Sequence, residues 1–288
     1  MKSAENHDIL IIGGGIGGLT MALSLHSDGI PCRVFEAASA FRPLGVGINM
    51  MPHAIRVLSS LGLEENLKRF GVEAKEFAYF NRHGQKIFTE PCGRFAGYEY
   101  SHFSIHRGDL HQVLHQAVLE RLGPDAVMLG HRCVGVDQNA GGVTVRFEGA
   151  AAQDGRIALA FDGFHSVVRE QFYPDEGPPR FGGINMWRGV TRRKPFLTGA
   201  SVTRVGTVQV GKMVIYPIRQ FEDGTQLINW NTEQPRDDHK PNDWATPGRI
   251  EDFIEPFANW NFDWLDMPGL IADAEFILEY PMVDRDPV

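Results

Sequence analysis

The glycine-rich segment Gly13–Gly18 is the part of the sequence whose residue types and spacing point most directly to chemistry. It reads GGGIGG and contains the pattern G-x-G-x-x-G, in which the fixed glycines are Gly13, Gly15 and Gly18. In a dinucleotide-binding turn, the first glycine permits the tight turn, the second lets a pyrophosphate approach the backbone, and the third lets a helix pack on a strand. The free N–H groups at the start of that helix bind phosphate. The predicted cofactor-binding residues of this segment are Gly13, Gly15, Ile16, Gly17 and Gly18.

The residues around this segment have the pattern of a β-α-β unit. The apolar run Asp8–Ile12 predicts a buried strand, Ile16–Asp28 a helix, and Cys32–Glu36 a second strand. That strand ends in Glu36, 18 residues past Gly18, where a carboxylate is placed to accept hydrogen bonds from the ribose hydroxyls of adenosine. This context predicts a bound ADP moiety, but the motif by itself does not distinguish FAD from NAD.

The rest of the chain predicts a second domain that is interleaved with the first. A further amphipathic helix is expected over Gly108–Leu122, and repeated strands follow from about Gly182. Another amphipathic helix, over residues 250–257, is expected to interrupt those strands. The sequence therefore predicts an α/β protein with a Rossmann-like domain and an antiparallel-sheet domain. The predicted ranges are 1–70 and 101–179 for the Rossmann-like domain, and 71–100 and 180–282 for the other.

Composition narrows the class of protein. The 288 residues are enough for roughly two domains of ordinary size. The net charge of −8, from 28 basic and 36 acidic residues, argues against broad nucleic-acid binding, which needs a basic field. The three cysteines form no CxxC pair and are typical of reduced thiols in a cytoplasmic protein. No apolar stretch approaches the ~18 residues of a membrane-spanning helix, so a soluble protein is expected.

Three further stretches resemble one family. They are Arg42–Ile48 (RPLGVGI), Ile105–Leu110 (IHRGDL) and Asp162–Arg169 (DGFHSVVR), and their combination in this order is highly specific. Together with the glycine motif, they resemble the class A flavoprotein monooxygenases, the family of para-hydroxybenzoate and salicylate hydroxylases. The resemblance covers essentially the whole chain. It implies that the Rossmann-like domain binds FAD and that the antiparallel-sheet domain binds the substrate.

The family pattern also implies an activity and further cofactor contacts. NADH or NADPH would reduce the FAD, O2 would add to give a flavin C4a-hydroperoxide, and an aromatic or heteroaromatic ring would be hydroxylated. Arg42 and Arg107 would contact the phosphate or ribityl oxygens of FAD, since guanidinium groups suit such oxygens. Asp162 and Gly163 would serve both FAD and the nicotinamide cofactor. The implied partners are small molecules, with a homodimer compatible with the resemblance and no metal expected.

Three residues are candidates for the substrate site under this resemblance. Tyr216 could hydrogen-bond a substrate hydroxyl or carboxylate, Asn49 follows the GVGI stretch and would lie near the flavin, and Arg188 could pair with a substrate carboxylate. For each of them, a role in the core or at an interface explains the residue type equally well.

Two departures from the family pattern leave alternatives open. Ala160 and Phe161 replace the usual Gly-Ala before the Asp-Gly pair, and the family's C-terminal Gly-Asp segment is expected to be missing after residue 288. A flavoprotein dehydrogenase or oxidase, an NAD-dependent dehydrogenase and a truncated, non-catalytic fragment therefore remain alternatives. The pair His111 and His115 imitates a zinc motif, but Gln112 replaces its glutamate, and a solvated helix flank is the preferred interpretation.

Overall fold

The computed structural model describes residues 9–41, 45–237 and 246–287. The chain divides into two compact units, one of Met1–Pro43, Gly108–Gly177 and Asp286–Val288, and one of Leu44–Arg107 and Pro178–Arg285. We call them the first and the second unit. Residues 44–70, which the sequence prediction groups with the glycine motif, lie in the second unit. The predicted domain ranges stay a prediction.

The secondary-structure elements are numbered in chain order. The helices are α1 (Ile16–Ser27), α2 (Pro52–Ser60), α3 (Glu64–Phe70), α4 (Arg107–Leu122), α5 (Val167–Phe172) and α6 (Met267–Ala272). The strands are β1 (Ile9–Ile12), β2 (Cys32–Phe35), β3 (Gly47–Met50), β4 (Val72–Glu73), β5 (Glu76–Phe80), β6 (Lys86–Pro91), β7 (Phe103–His106), β8 (Val127–Met128), β9 (Cys133–Asn139), β10 (Gly142–Phe147), β11 (Ala150–Gly155), β12 (Ile157–Ala160), β13 (Arg180–Arg193), β14 (Ser201–Thr207), β15 (Gly211–Gln220), β16 (Gln226–Pro235), β17 (Thr246–Pro247), β18 (Asn261–Phe262), β19 (Leu265–Asp266) and β20 (Ile277–Asp284).

The first unit contains a parallel sheet in the order β12-β1-β2-β8. Helix α1 connects β1 to β2, as the glycine motif predicts. Leu10, Ile12 and Phe35 from this sheet are almost fully buried and pack with Val145 and Phe147 of the β11-β10-β9 sheet. The rings of Phe35 and Phe147 stack with centroids 4.8 Å apart. This buried layer holds the end of β1, where the glycine segment begins.

The second unit contains an eight-stranded sheet in the order β17-β20-β13-β16-β15-β14-β5-β6. Its neighbouring strands are antiparallel except for β14 and β5, which pair in parallel. A smaller antiparallel sheet has the order β3-β7-β4. The predicted α/β class, with a Rossmann-like part and a mainly antiparallel sheet, is confirmed. No helix in the described part of the chain is long and apolar enough to cross a membrane.

The predicted helix over residues 250–257 is wrong. The segment forms two short 3-10 turns, Ile250–Asp252 and Glu255–Phe257. Pro256 lies in the second turn, and a proline has no N–H to donate and clashes with the carbonyl four residues earlier in an α-helix. The apolar residues of the segment are nevertheless in the core, since Phe253 and Phe257 are fully buried.

Buried aromatic rings form the centre of the second unit. Trp187 stacks on Phe253 with centroids 5.1 Å apart, and Phe253 also contacts Trp230 at 6.1 Å. The Trp230 indole Nε1 donates a hydrogen bond to the Thr191 hydroxyl at 3.1 Å. A buried indole with a satisfied N–H adds its full apolar surface to the core.

Truncation of this cluster should be strongly destabilising. Phe253→Ala removes a ring that is 1% exposed, and we expect the free energy of unfolding to fall by about 3–5 kcal/mol. Urea denaturation followed by tryptophan fluorescence measures this change. Phe88→Ala is the matched control, because Phe88 is 53% exposed, and it should cost about 1 kcal/mol or less. Equal losses in the two variants would contradict this account of the core.

Candidate functional site

The turn after β1 requires glycine at its first position. Gly13 has φ +106°, and a Cβ there would overlap the carbonyl oxygen of Phe161. The Gly13 N–H donates to the Phe35 carbonyl at 2.7 Å, and the Phe161 N–H donates to the Ile12 carbonyl at 2.7 Å. The turn is therefore fixed between the ends of β2 and β12.

Phe161, one of the departures from the family pattern, packs beside the glycine segment. A Cβ on Gly17 would lie 2.9 Å from Phe161 Cδ1, so the ring needs a glycine at this position. The bulkier residue is thus accommodated by the glycine that faces it.

The start of α1 has space for a ligand next to its first backbone N–H groups. Gly15 is the N-cap, with extended backbone and no side-chain cap, and a Cβ on it would meet no atom within 4 Å. The first three N–H groups of the helix, at Ile16, Gly17 and Gly18, have no acceptor inside the helix. A Cβ on Gly18 would overlap the Gly13 carbonyl oxygen, so only glycine lets α1 start so close to β1. Donors, helix dipole and free space together fit the pyrophosphate of a dinucleotide.

Glu36 is bound to the backbone of the glycine segment itself. Its Oε2 accepts a hydrogen bond from Gly14 N at 2.7 Å, and its Oε1 accepts one from Ala38 N at 2.7 Å. Bonds to a carboxylate are about twice as strong as neutral ones, so Glu36 ties the end of β2 to the turn. Each oxygen keeps a second lone pair. Glu36 can therefore still accept a hydrogen bond from a ribose hydroxyl, and this predicted contact stays a prediction.

His111 holds the other backbone group of Gly14. Its Nε2 lies 2.7 Å from the Gly14 carbonyl oxygen, and the Phe41 ring contacts His111 and His115 at 4.4 and 4.7 Å. Both histidines are half-buried and Gln112 between them is exposed, so the interpretation as a solvated helix flank holds only in part. This bond could not be predicted from the sequence, because the partners are 97 residues apart. No group of residues that would hold a metal ion occurs in the part of the chain that the structure describes.

The Asp-Gly pair lies after β12 in the same unit. Asp162 Oδ1 accepts from the Ser166 hydroxyl at 2.6 Å, and Ser166 in turn accepts from Arg169 N at 2.9 Å as the N-cap of α5. Gly163 has φ +83° and open space where a side chain would lie. These bonds fix the loop and leave the predicted cofactor contacts of Asp162 and Gly163 as predictions.

Of the two arginines of the family pattern, the structure describes only Arg107. Arg42 lies outside the described residues. Arg107 follows β7 at the start of α4; its backbone N–H donates to the Val46 carbonyl at 3.0 Å, and its side chain is exposed. The exposed guanidinium is accessible to a phosphate, and its predicted role remains untested.

Tyr216 and Arg188, two of the substrate candidates, meet around Gly47 of β3. Arg188 Nη2 donates to the Gly47 carbonyl at 2.9 Å, and a Cβ on Gly47 would lie 2.6 Å from Tyr216 Cε2. The Gly47 N–H donates to Asn229 Oδ1 at 2.6 Å. Burial raises the pKa of the Tyr216 phenol, although the Arg188 guanidinium opposes this, so the phenol is neutral at pH 7. We call Arg188, Tyr216 and Asn229 the Gly47 clamp.

Asn49, the third substrate candidate, lies two residues further along β3. Its Oδ1 accepts a hydrogen bond from the Ser104 hydroxyl of β7 at 2.5 Å. Sequence reasoning missed Asn229, a polar residue that is fully buried in β16. A buried amide in a central strand is a signal in principle, but its partner is 182 residues away.

The chain is similar to one protein family and to enzymes of known activity over most of its length. The family described as "FAD binding domain" matches residues 6–245. Phenazine 1,6-dicarboxylic acid hydroxylase PhzS of Lysobacter antibioticus is 40% identical, covering 100% of this chain and 74% of the relative. The 3-amino-4-hydroxybenzoate 2-monooxygenase PtmB3 of Streptomyces platensis is 32% identical, over 97% of this chain and 69% of its own.

Solved structures show the same fold. The crystal structure of Klebsiella pneumoniae HpxO complexed with FAD and uric acid matches with a TM-score of 0.79 and 24% identity, covering 98% of this chain and 69% of that chain. The structure of 2,6-dihydroxypyridine-3-hydroxylase from Arthrobacter nicotinovorans matches with a TM-score of 0.74 and 21% identity, covering 98% and 74%.

Substitution of Gly18 should impair folding, whereas substitution of Gly15 should impair cofactor binding. Gly18→Ala forces a Cβ into the Gly13 carbonyl, and we expect a loss of about 1–3 kcal/mol in the free energy of unfolding. Gly15→Ala points into open space, so the melting temperature of the FAD-free chain should stay within about 2 °C. If the pyrophosphate binds at the start of α1, the same methyl group would lie in its position, and FAD affinity should then fall roughly tenfold or more. Thermal melts and FAD titrations of both variants test this, and normal FAD affinity in Gly15→Ala would refute the placement of the pyrophosphate.

The Gly47 clamp predicts a stability effect. Asn229→Leu leaves the buried Gly47 N–H without an acceptor, and we expect the free energy of unfolding to fall by about 1–3 kcal/mol. Asn261→Leu replaces an exposed asparagine of β18 and should change stability by about 0.5 kcal/mol or less. Chemical denaturation of the two variants distinguishes them, and a neutral Asn229→Leu would show that the bond to Gly47 is dispensable.

Proposed function

The chain belongs to the family of flavoproteins described as FAD binding domain, and from this premise we propose how its residues serve the reaction. It is an FAD-dependent oxidoreductase, a monooxygenase that hydroxylates an aromatic or heteroaromatic ring with NADH or NADPH and O2. The observation that carries the proposal is the start of α1, where no described side chain caps the helix and a Cβ on Gly15 would meet no atom within 4 Å. In balance, the ring C–H, NAD(P)H, a proton and O2 give the ring C–OH, NAD(P)+ and water.

When bound, FAD would supply the redox chemistry, namely hydride acceptance from NAD(P)H and activation of O2. The protein residues bind and orient the reactants. We propose that the N–H groups of α1 hold the pyrophosphate and that Glu36 accepts from the ribose while it holds Gly14. Arg42 and Arg107 would bind phosphate or ribityl oxygens, and Asp162 with Gly163 would contact both FAD and the nicotinamide cofactor.

On the substrate side, the proposal assigns the Gly47 clamp a positioning role. Arg188 already donates to the Gly47 carbonyl, so it fixes β3 and thereby Asn49, two residues away. Tyr216 remains the candidate for a direct hydrogen bond to the substrate because its phenol is neutral and lies next to Arg188 and Asn229. The relatives act on phenazine 1,6-dicarboxylic acid and 3-amino-4-hydroxybenzoate, which suggests substituted aromatic substrates of one to three rings.

A cytoplasmic location is also part of the proposal. Cys32, Cys92 and Cys133 are free and buried, as expected of a protein from a reducing compartment. Burial raises the pKa of the Cys32 and Cys92 thiols to about 11, so both stay protonated and unreactive at neutral pH.

Isotope labelling tests the proposed reaction. The FAD-loaded protein is incubated under ¹⁸O2 with NADH or NADPH and, in separate samples, phenazine 1,6-dicarboxylic acid and 3-amino-4-hydroxybenzoate. We expect a hydroxylated product that carries one ¹⁸O atom, with about one NAD(P)H oxidised per product molecule. Gly15→Ala, which should bind FAD poorly, is the matched control and should lose both signals. An oxidised product without ¹⁸O would indicate a dehydrogenase or an oxidase instead.

A further inference from the structure

A cavity of about 600 Å³ in the second unit shares no lining residue with the proposed substrate site. It is lined by the start of α2, by Phe77 of β5 and by residues between 90 and 102. Since Tyr216, Asn49 and Arg188 are all absent from its lining, the substrate assignment does not account for it. Its volume is in the range of small-molecule binding sites.

The α2 side of the cavity is basic. His53 and Arg56 are three residues apart in α2, a spacing that puts two side chains on the same face of a helix, and both line the cavity. Both residues are exposed and therefore accessible to a ligand. The first turn of α2 contains no acidic residue that would offset the charge of Arg56. A guanidinium group is well suited to binding a phosphate group.

The segment after β6 contributes aromatic rings and a carboxylate to the same cavity. Tyr98, Glu99 and Tyr100 all line it. Tyr98 is 62% exposed, and among the large apolar and aromatic side chains that the structure describes only Ile87 is more exposed. An accessible aromatic ring is a surface on which a nucleobase stacks. Glu99 is also exposed, and a carboxylate accepts hydrogen bonds from ribose hydroxyls.

The backbone around Tyr98 is held by local bonds. Gly97 has φ +87° and ends the 3-10 turn Gly93–Ala96, and the Tyr98 N–H donates to the Gly93 carbonyl at 3.2 Å. Arg94 Nη2 of this turn lies 2.7 Å from Glu64 Oε1 of α3. The turn that carries Tyr98 is therefore preorganised, which lowers the entropic cost of binding a ligand to it.

We propose that this cavity binds the adenosine 5′-phosphate part of NADH or NADPH, with the base on Tyr98, the ribose hydroxyls on Glu99 and the phosphate on Arg56. The proposal rests on the proposed function, which requires NAD(P)H as the reductant. Because the glycine turn after β1 is assigned to the ADP moiety of FAD, the reductant needs a site of its own. The cavity has a partner for each of the three parts of the nucleotide.

Calorimetric titration with AMP and adenosine tests the phosphate contact, because the two probes differ only in the phosphate. The protein is kept saturated with FAD, so that the glycine turn is occupied. We expect AMP to bind roughly tenfold more tightly than adenosine, since only AMP pairs with Arg56. Arg56→Gln should reduce this preference to about twofold or less. Arg82→Gln, which replaces an exposed arginine outside the cavity, is the matched control and should behave as the unmodified protein.

Two further variants test the contacts with the base and the ribose. Tyr98→Leu should lower the affinities for AMP and adenosine by the same factor, roughly fivefold to tenfold, because stacking does not depend on the phosphate. Glu99→Ala should weaken the binding of adenosine by about threefold or more. It should leave 2′,3′-dideoxyadenosine unaffected, because that probe has no 2′- or 3′-hydroxyl to donate.

Three results of the titrations would overturn the proposal. The first is an AMP affinity that falls when the FAD concentration is doubled, which would place AMP at the glycine turn. The second is equal binding of AMP and adenosine. The third is a preference for AMP that survives in Arg56→Gln.

Steady-state kinetics connect the cavity to the reductant. Arg56→Gln should raise the KM for NADH or NADPH roughly tenfold and leave kcat within about twofold, because the adenosine part of the reductant does not react. An unchanged KM in a variant that has lost the preference for AMP would show that the cavity does not serve the reductant, and it would also overturn the proposal.

Failure of this proposal is distinguishable from failure of the proposed function. The ¹⁸O measurement and the AMP titration are made on the same FAD-loaded samples. Normal ¹⁸O incorporation with a preference for AMP that Arg56→Gln does not change overturns the assignment of the cavity alone. A preference for AMP that depends on Arg56, without ¹⁸O in any product, overturns the monooxygenase reaction alone.

Discussion

The close approach of α1 to the end of β1 is the constraint on which the cofactor site depends. Helix α1 can start where it does only because Gly18 has no Cβ to meet the Gly13 carbonyl. Both backbone groups of Gly14 are then held from outside the turn, the N–H by Glu36 and the carbonyl by His111. The turn is therefore held in one shape before any ligand binds, and preorganisation of this kind lowers the entropic cost of binding.

The second unit uses a similar device at β3. There the backbone N–H and carbonyl of Gly47 are bound by Asn229 and Arg188, which reach across from strands of the large sheet. In both units a glycine, which has no side chain, lets another group pack against the backbone. Polar side chains then form hydrogen bonds with the backbone N–H and carbonyl groups at that place. Loss of one such bond leaves a buried donor or acceptor without a partner, which lowers the free energy of unfolding.

The sequence predicts what is local in the chain. The glycine spacing, the β1-α1-β2 order and the position of Glu36 all fall within about 30 residues, where turn chemistry and periodicity are informative. It fails where contacts join distant segments: His111 meets Gly14 across 97 residues, and Asn229 meets Gly47 across 182. The helix expected over residues 250–257 fails for a local reason. The prediction followed the apolar spacing and did not take account of Pro256, which disfavours an α-helix.

Equilibrium titration of the purified chain with FAD tests the central claim most directly. Flavin absorbance retained after removal of free FAD gives the amount bound, and ADP added as a competitor reports on the pyrophosphate site. The account predicts saturation at about one FAD per chain and displacement by ADP, because the backbone donors of α1 recognise the part that the two ligands share. Binding that does not saturate, or that ADP leaves unchanged, would contradict the assignment of the glycine turn as the cofactor site.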